Sequence, residues 1–168
     1  MFQIPRAIFT SQPYTPRGEV SMTYAQLLGR YREKHGTLVE PRQGFHSLHE
    51  DLWLAYSLGI KRGYYDVGTY ARKPGDHSWG DRNGQPGTAL AFDIRRKGWL
   101  GRFGWGFLNA RKLARFYWAN HLALNIEYVI VGRQLISRSK PWWHPLTTGD
   151  TSHDWHIHVS GAEPEDAL

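Results

Sequence analysis

The chain has 168 residues, with 21 lysines and arginines against 15 aspartates and glutamates, a formal net charge of +6 with histidine neutral. Hydrophobic residues make up 40% and aromatics 14%, with 8 Trp and 9 Tyr, enough apolar surface for one core, which excludes a globally disordered chain. Cysteine is absent, which excludes disulfides and thiolate metal sites and leaves His, Asp and Glu as ligands for any zinc.

Residues 1–20 carry Pro5, Pro13 and Pro16 without periodicity and read as an irregular arm. Thr23 followed by Gln26 predicts a capping box, opening a helix that runs to about His35 and stops at Gly36. Ser47 and Glu50 repeat the pattern and predict a second helix over 48–58, with Leu48, Leu52, Ala55 and Tyr56 inward and Gly59 as terminator. The period then changes. Residues 64–70 predict a strand, 73–87 a loop rich in Gly, Pro and Asp, and 88–94 a second strand. In that strand Phe92 and Ile94 share one face, and Ala89, Ala91 and Asp93 the other. A helix is expected near 107–122, with Leu108, Ala114, Tyr117 and Trp118 inward. Residues 126–131 and 134–137, joined by Gly132-Arg133, predict a hairpin. A loop with Pro141 and Pro145 leads to a last strand over 155–160, and 161–168 reads as an acidic tail. Helices first and strands later argue an α+β domain over 21–160, a small antiparallel sheet with helices on one side.

The positive excess favours an anionic partner: nucleic acid, a membrane surface or an acidic cell-wall polymer. No apolar run approaches a membrane span, and no charged-then-apolar signal segment opens the chain. Arg95, Arg96, Lys97 and Arg102, interleaved with Trp99, Phe103 and Trp105, fit single-stranded nucleic acid, anionic wall polymer or a solvated loop anchored by tryptophan. The last reading is the simplest.

The sharpest chemical signal is the run from Ser152 to Ser160, which contains His153, Asp154, His156 and His158. In a strand, His156, His158 and Ser160 point one way and Trp155, Ile157 and Val159 point into the core. Two imidazoles on one face can share a metal, or one can bind it while the other acts on substrate; they can also be a solvated pair. Asp93 sits mid-strand among small neighbours, and a buried carboxylate there needs a cation, a metal or donors. Arg95 or Arg96 could supply the cation. His77 lies in the Gly/Pro loop that enters the Asp93 strand, either folded back beside it or on the surface. Together His77, Asp93 and His158 offer two neutral nitrogens and one carboxylate, with a fourth zinc position open. His46 with His49, and His144, are weaker candidates for which a solvated turn suffices. Gly84–Gly87 lacks the Lys-Ser/Thr of a phosphate loop.

The order His77, Gly80, Ala91-Phe92-Asp93 and His156-Ile157-His158 resembles the zinc peptidases of the lysostaphin/D-Ala-D-Ala carboxypeptidase superfamily, to which the hedgehog amino-terminal domain also belongs. The stretch 67–72, ending in Arg72, is similar to the strand before the first ligand in these enzymes, and 150–160 to the closing motif of phage and actinobacterial peptidoglycan peptidases. Two features depart from the pattern. Residues 81–90 widen the gap between the first histidine and the aspartate, and Trp155 stands where the dipeptidase branch has a glutamate base.

The resemblance implies one zinc on the open sheet face, held by His77, Asp93 and His158. It implies His156 as the catalytic histidine, Asp154 or His153 as its orienter and Arg72 as the group that binds substrate or oxyanion. Tyr70, Trp79 and His153 are then expected against substrate. The implied activity is metal-assisted hydrolysis of peptide bonds in peptidoglycan stem peptides, in phage lysis or in crossing the wall, by a protein made in a host cytoplasm or carried in a virion. The rival expectations are a virion or tail protein that keeps the fold without the chemistry and, less favoured, a basic nucleic-acid-binding module.

Overall fold

The computed structural model describes residues 21–43, 46–69, 75–101, 103–146 and 151–163. The 1–20 arm, together with Tyr70, Arg72, Arg102 and Asp150, lies outside the described residues. Helix α1 (Tyr24–His35) opens on the expected capping box: Gln26 N–H donates to Thr23 Oγ1 at 3.3 Å, and Thr23 N–H donates to Gln26 Oε1 at 2.9 Å. Gly36 ends it at φ 77°, a conformation that glycine adopts without a side-chain clash.

The second helix starts later than expected. Ser47 and Leu48 belong to a strand, β2 (His46–Leu48), which pairs antiparallel with β1 (Arg42–Gln43). Glu50–Leu52 is a 3-10 turn capped by His49, whose Nδ1 accepts from Asp51 N–H at 3.4 Å, and α2 follows at Trp53–Ile60. The capping pattern at Ser47 and Glu50 is overridden by a parallel pairing of Ser47 and Leu48 with Thr88 and Ala89, a long-range contact with no local signal. Gly59 does not terminate α2. It is buried within it, where a Cβ would come within 2.6 Å of Ile94 Cδ1 and the Tyr117 hydroxyl.

The remaining elements build the main sheet and its cover. They are β3 (Tyr64–Gly68), α3 (Trp79–Arg82), β4 (Thr88–Ala89), β5 (Ala91–Arg96), α4 (Gly104–Ala119), β6 (Ile126–Val131), β7 (Gln134–Ser137), β8 (His144–Pro145) and β9 (Ile157–Gly161). Strand β4 joins β1 and β2 in a small sheet, so the expected strand over 88–94 is shared between two sheets. The main sheet has the order β3-β5-β9-β6-β7-β8, antiparallel throughout. The hairpin β6–β7 turns at Gly132 and Arg133 as expected, with Gly132 at φ 61°.

Helices α2 and α4 cover one face of this sheet, and the α+β expectation holds. Phe92 meets Tyr56 and Tyr117 edge to face, and Ile94, Val129, Ile157 and Val159 are buried in the same core. Burying such side chains contributes about 1.5–3 kcal/mol each. On α4 the buried stripe is Ala110, Leu113, Ala114, Tyr117 and Trp118. Leu108, expected inward, is 62% exposed, because it falls off the i, i+3, i+4, i+7 spacing of that stripe. Trp155, expected in the core, precedes β9 and is 50% exposed, with the Arg95 guanidinium 5.6 Å from its ring centre. The last strand runs one residue beyond the expected end, through Gly161, and Ala162 N–H donates to the Asn125 carbonyl. Among the described residues no helix is long and apolar enough to cross a membrane.

Candidate metal centre

Backbone register assembles half of the site. Residues directly opposed across antiparallel strands share a face. Asp93 of β5 opposes His158 of β9, which opposes Ile130 of β6; the next row is Ala91, Ser160 and Tyr128. These rows occupy the face away from α2 and α4, while Phe92, Val159 and Val129 occupy the other.

The third group arrives from the 3-10 turn Asp76–Ser78. Its position is set from β3, where Asp66 accepts from the Tyr56 hydroxyl at 3.1 Å, Gly68 N–H at 2.9 Å and Thr69 Oγ1 at 2.7 Å. Thr69, so held, offers its carbonyl to His77 Nδ1 at 2.8 Å. A carbonyl only accepts, so Nδ1 carries the proton and Nε2 keeps its lone pair. That lone pair lies 3.4 Å from Asp93 Oδ2 and 3.2 Å from His158 Nδ1.

His158 is oriented by a longer chain. The Tyr128 hydroxyl donates to Asp76 Oδ2 at 2.6 Å, and Ser160 Oγ donates to the same oxygen at 2.5 Å. With its proton committed, the Tyr128 oxygen accepts from His158 Nε2 at 3.2 Å. His158 Nδ1 then presents its lone pair 2.9 Å from Asp93 Oδ1. Two nitrogen lone pairs and a carboxylate facing one another at these distances require a shared cation, either a proton or a metal ion. The ligand atoms of His77, Asp93 and His158 all lie within 4.8 Å of one another. A tetrahedral zinc with bonds near 2.0–2.1 Å separates its ligand atoms by about 3.3–3.4 Å, close to the observed spacing. The donor set therefore fits a metal ion.

His156 stands beside this group without joining it. It lies in the bend before β9, with Nε2 3.4 Å from Asp93 Oδ2, that atom buried and without a hydrogen-bond partner among the described residues. His153 completes the cluster, its ring centre 5.0 Å from that of His156 and 5.2 Å from that of His158. Burial opposes ionisation of Asp93, but where the shared cation is a proton on the imidazoles, hydrogen bonds from His158 and His77, and the charge of His158 and His156, hold its carboxyl well below the usual range. Burial alone would lower the pKa of His77; the hydrogen bond and charge of Asp93 outweigh it and raise the pKa. His156 goes the other way. Burial lowers it against the pull of Asp93, and the neighbouring His158, His77 and Arg95 lower it further.

Other expected roles are not met. Asp154 does not orient His156: it receives Arg133 through both carboxylate oxygens, at 2.9–3.3 Å, and its carbonyl accepts from Trp99 Nε1 at 2.7 Å. Trp79, expected against substrate, is buried and packs edge-on against His49. Among the described residues no arginine pairs with Asp93. Arg95 lies by Trp155, and Arg96 lies between Tyr64 and Trp105. Trp99 is 1% exposed, so it anchors the basic loop rather than offering a stacking face. His144 Nδ1 bonds the Trp142 carbonyl at 2.9 Å, away from the cluster.

Tyr128, Asp76, Thr69 and Asp66 escaped the sequence reading. Asp76 adjoins His77, which is a local signal; Tyr128 is found only once the register of β6 on β9 is known. Comparison of the chain with family models, curated proteins and solved structures finds no match.

Proposed function

We propose that the chain is a zinc-dependent peptidase that hydrolyses peptide bonds in peptidoglycan stem peptides. The observation that carries this reading is the convergence of His77 Nε2, His158 Nδ1 and the Asp93 carboxylate, with His156 Nε2 beside them, 3.4 Å from Asp93 and without a hydrogen bond among the described residues. Structural zinc sites close with four protein ligands, whereas three ligands beside a free base suit a catalytic one. Bound zinc would polarise the scissile carbonyl and supply a water that ionises near pH 7.

The chain's own groups do the rest. Thr69 and Tyr128 hold the two ligand imidazoles in the tautomers that aim lone pairs at the centre. Asp93 stays ionised and balances part of the metal charge. His156, kept neutral at neutral pH, takes the proton at Nε2 and returns it to the leaving amine, a role worth about 10²–10⁴-fold. Arg72 binds a peptide carboxylate or the oxyanion in this reading. The peptidoglycan substrate rests on the sequence resemblance and on the +6 charge, which suits an anionic wall.

The test pairs metal analysis of protein never exposed to chelator with release of new amino groups from purified peptidoglycan. One zinc per chain and metal-dependent release are expected. Bound zinc without release from any wall preparation favours the non-catalytic virion protein, and absence of stoichiometric metal overturns the reading.

A further inference from the structure

On the helical side of the main sheet a cavity of about 350 Å³ opens between α1, α2 and α4. Arg30 and Lys34 of α1 and Lys61 and Arg62 after α2 line it, together with Leu58 and Phe116. Among the described residues no carboxylate lines it. Arg30, Lys34 and Lys61 have no ion-pair partner among the described residues, and Arg62 is engaged only by the Leu58 carbonyl at 3.2 Å and by the Phe116 ring at 4.2 Å. Four formal positive charges thus face a concave surface with apolar walls, which concentrates the field. His35 on the same wall registers that field: after desolvation, the charges of Lys34, Lys61 and Arg62 lower its pKa.

We infer that this cavity binds a phosphodiester chain that carries no bases, such as a polyol phosphate polymer. Phosphate suits the donors, because Arg and Lys at a focused positive site recognise it by charge and hydrogen bonds together. A chain suits the surface better than a single phosphate. Arg62 and Phe116 also line the adjoining groove with Tyr64, Arg96 and Lys112, so the cationic lining continues past the cavity. Bases are disfavoured because single strands bind through open aromatic faces, and here Arg62 covers Phe116 while Tyr31 is buried. The site is separate from the metal centre: β5 alternation puts Ile94 in the helical core and Asp93 on the other face. It therefore needs neither bound metal nor hydrolysis, and goes beyond the peptidase reading.

The test titrates the full chain with a synthetic glycerol phosphate hexamer in about 0.1 M salt, where exposed charges beyond about 10 Å are screened. Lys34→Gln/Lys61→Gln is compared with Arg32→Gln/Lys140→Gln; all four side chains are exposed, and each pair removes the same charge. The cavity pair is expected to weaken binding about tenfold and the control pair less than about twofold. A single-stranded DNA hexamer run in parallel should bind more weakly than the glycerol phosphate hexamer. Equal loss in both pairs, no saturable binding by the parent chain, or tighter binding of DNA would each overturn the inference.

Discussion

His156 and His158 sit two residues apart and face the same carboxylate, yet their hydrogen bonds separate their roles. His158 is fixed at both nitrogens, by Tyr128 and Asp93, whereas His156 Nε2 lies 3.4 Å from Asp93 Oδ2 without a hydrogen bond among the described residues. His158→Ala should lose both metal and hydrolysis. His156→Ala should keep its metal and lose hydrolysis by about 10²–10⁴-fold. Metal content and peptidoglycan turnover of the two variants check this, and equal metal loss in both would mean that the roles are misassigned. Tyr128→Phe keeps the ring stacked on His158 but removes the hydroxyl that links it to Asp76. Metal affinity should fall about 10–100-fold, read by competition with a chelating dye, while folding is retained. The three candidate ligands were named from the sequence: alternation places Asp93 and His158 on definite faces, and the family resemblance separated His158 from His156 and added weight to His77. Asp154 was misread because adjacency in sequence does not reveal that Arg133, across a hairpin, claims its carboxylate.

Elements were legible where their signals are local. The α1 capping box and the β6–β7 hairpin form as their residues predict. The misreadings gather at β2 and β4, where a parallel pairing of residues about 40 apart replaces a helix start. Gly80 shows what that pairing demands. A Cβ on Gly80 would fall within 1.9 Å of the Gln85 carbonyl oxygen and 2.8 Å of Thr88 Cβ, so α3 can press on the turn into β4 only with glycine there. Gly80→Ala should therefore destabilise the fold by about 1–3 kcal/mol in denaturant unfolding. It should also weaken metal binding, because His77 lies on the turn that leads into α3. A variant as stable as the parent would show that the turn is not held by this contact.

At the scale of the molecule, the sheet separates two faces: helices, core and the cationic cavity on one side, and the His/Asp cluster on the other. The cluster draws side chains from a 3-10 turn and from the adjacent strands β5 and β9 to one point, beside the hydrogen bonds of Tyr128 and Ser160 to Asp76 on the same turn. A metal bound only by the folded state should therefore stabilise the whole fold. At free zinc 100 times its dissociation constant, linkage gives about 2.7 kcal/mol. A domain of 168 residues shifts by about 2–4 °C per kcal/mol, so chelation should lower the melting temperature by about 5–11 °C, restored by added zinc. The difference should grow with pH. The pKa of His77 is raised in the metal-free fold, so its pairing with Asp93 stabilises that form below the ordinary histidine range and is lost as pH rises through the raised value. Zinc needs the same nitrogen deprotonated, so metal stabilisation gains where proton stabilisation fades. Melting curves with and without chelator at several pH values between about 5 and 8 test both trends. Curves that coincide at every pH would show that the cluster holds only a proton, and that the three side chains meet without a metal.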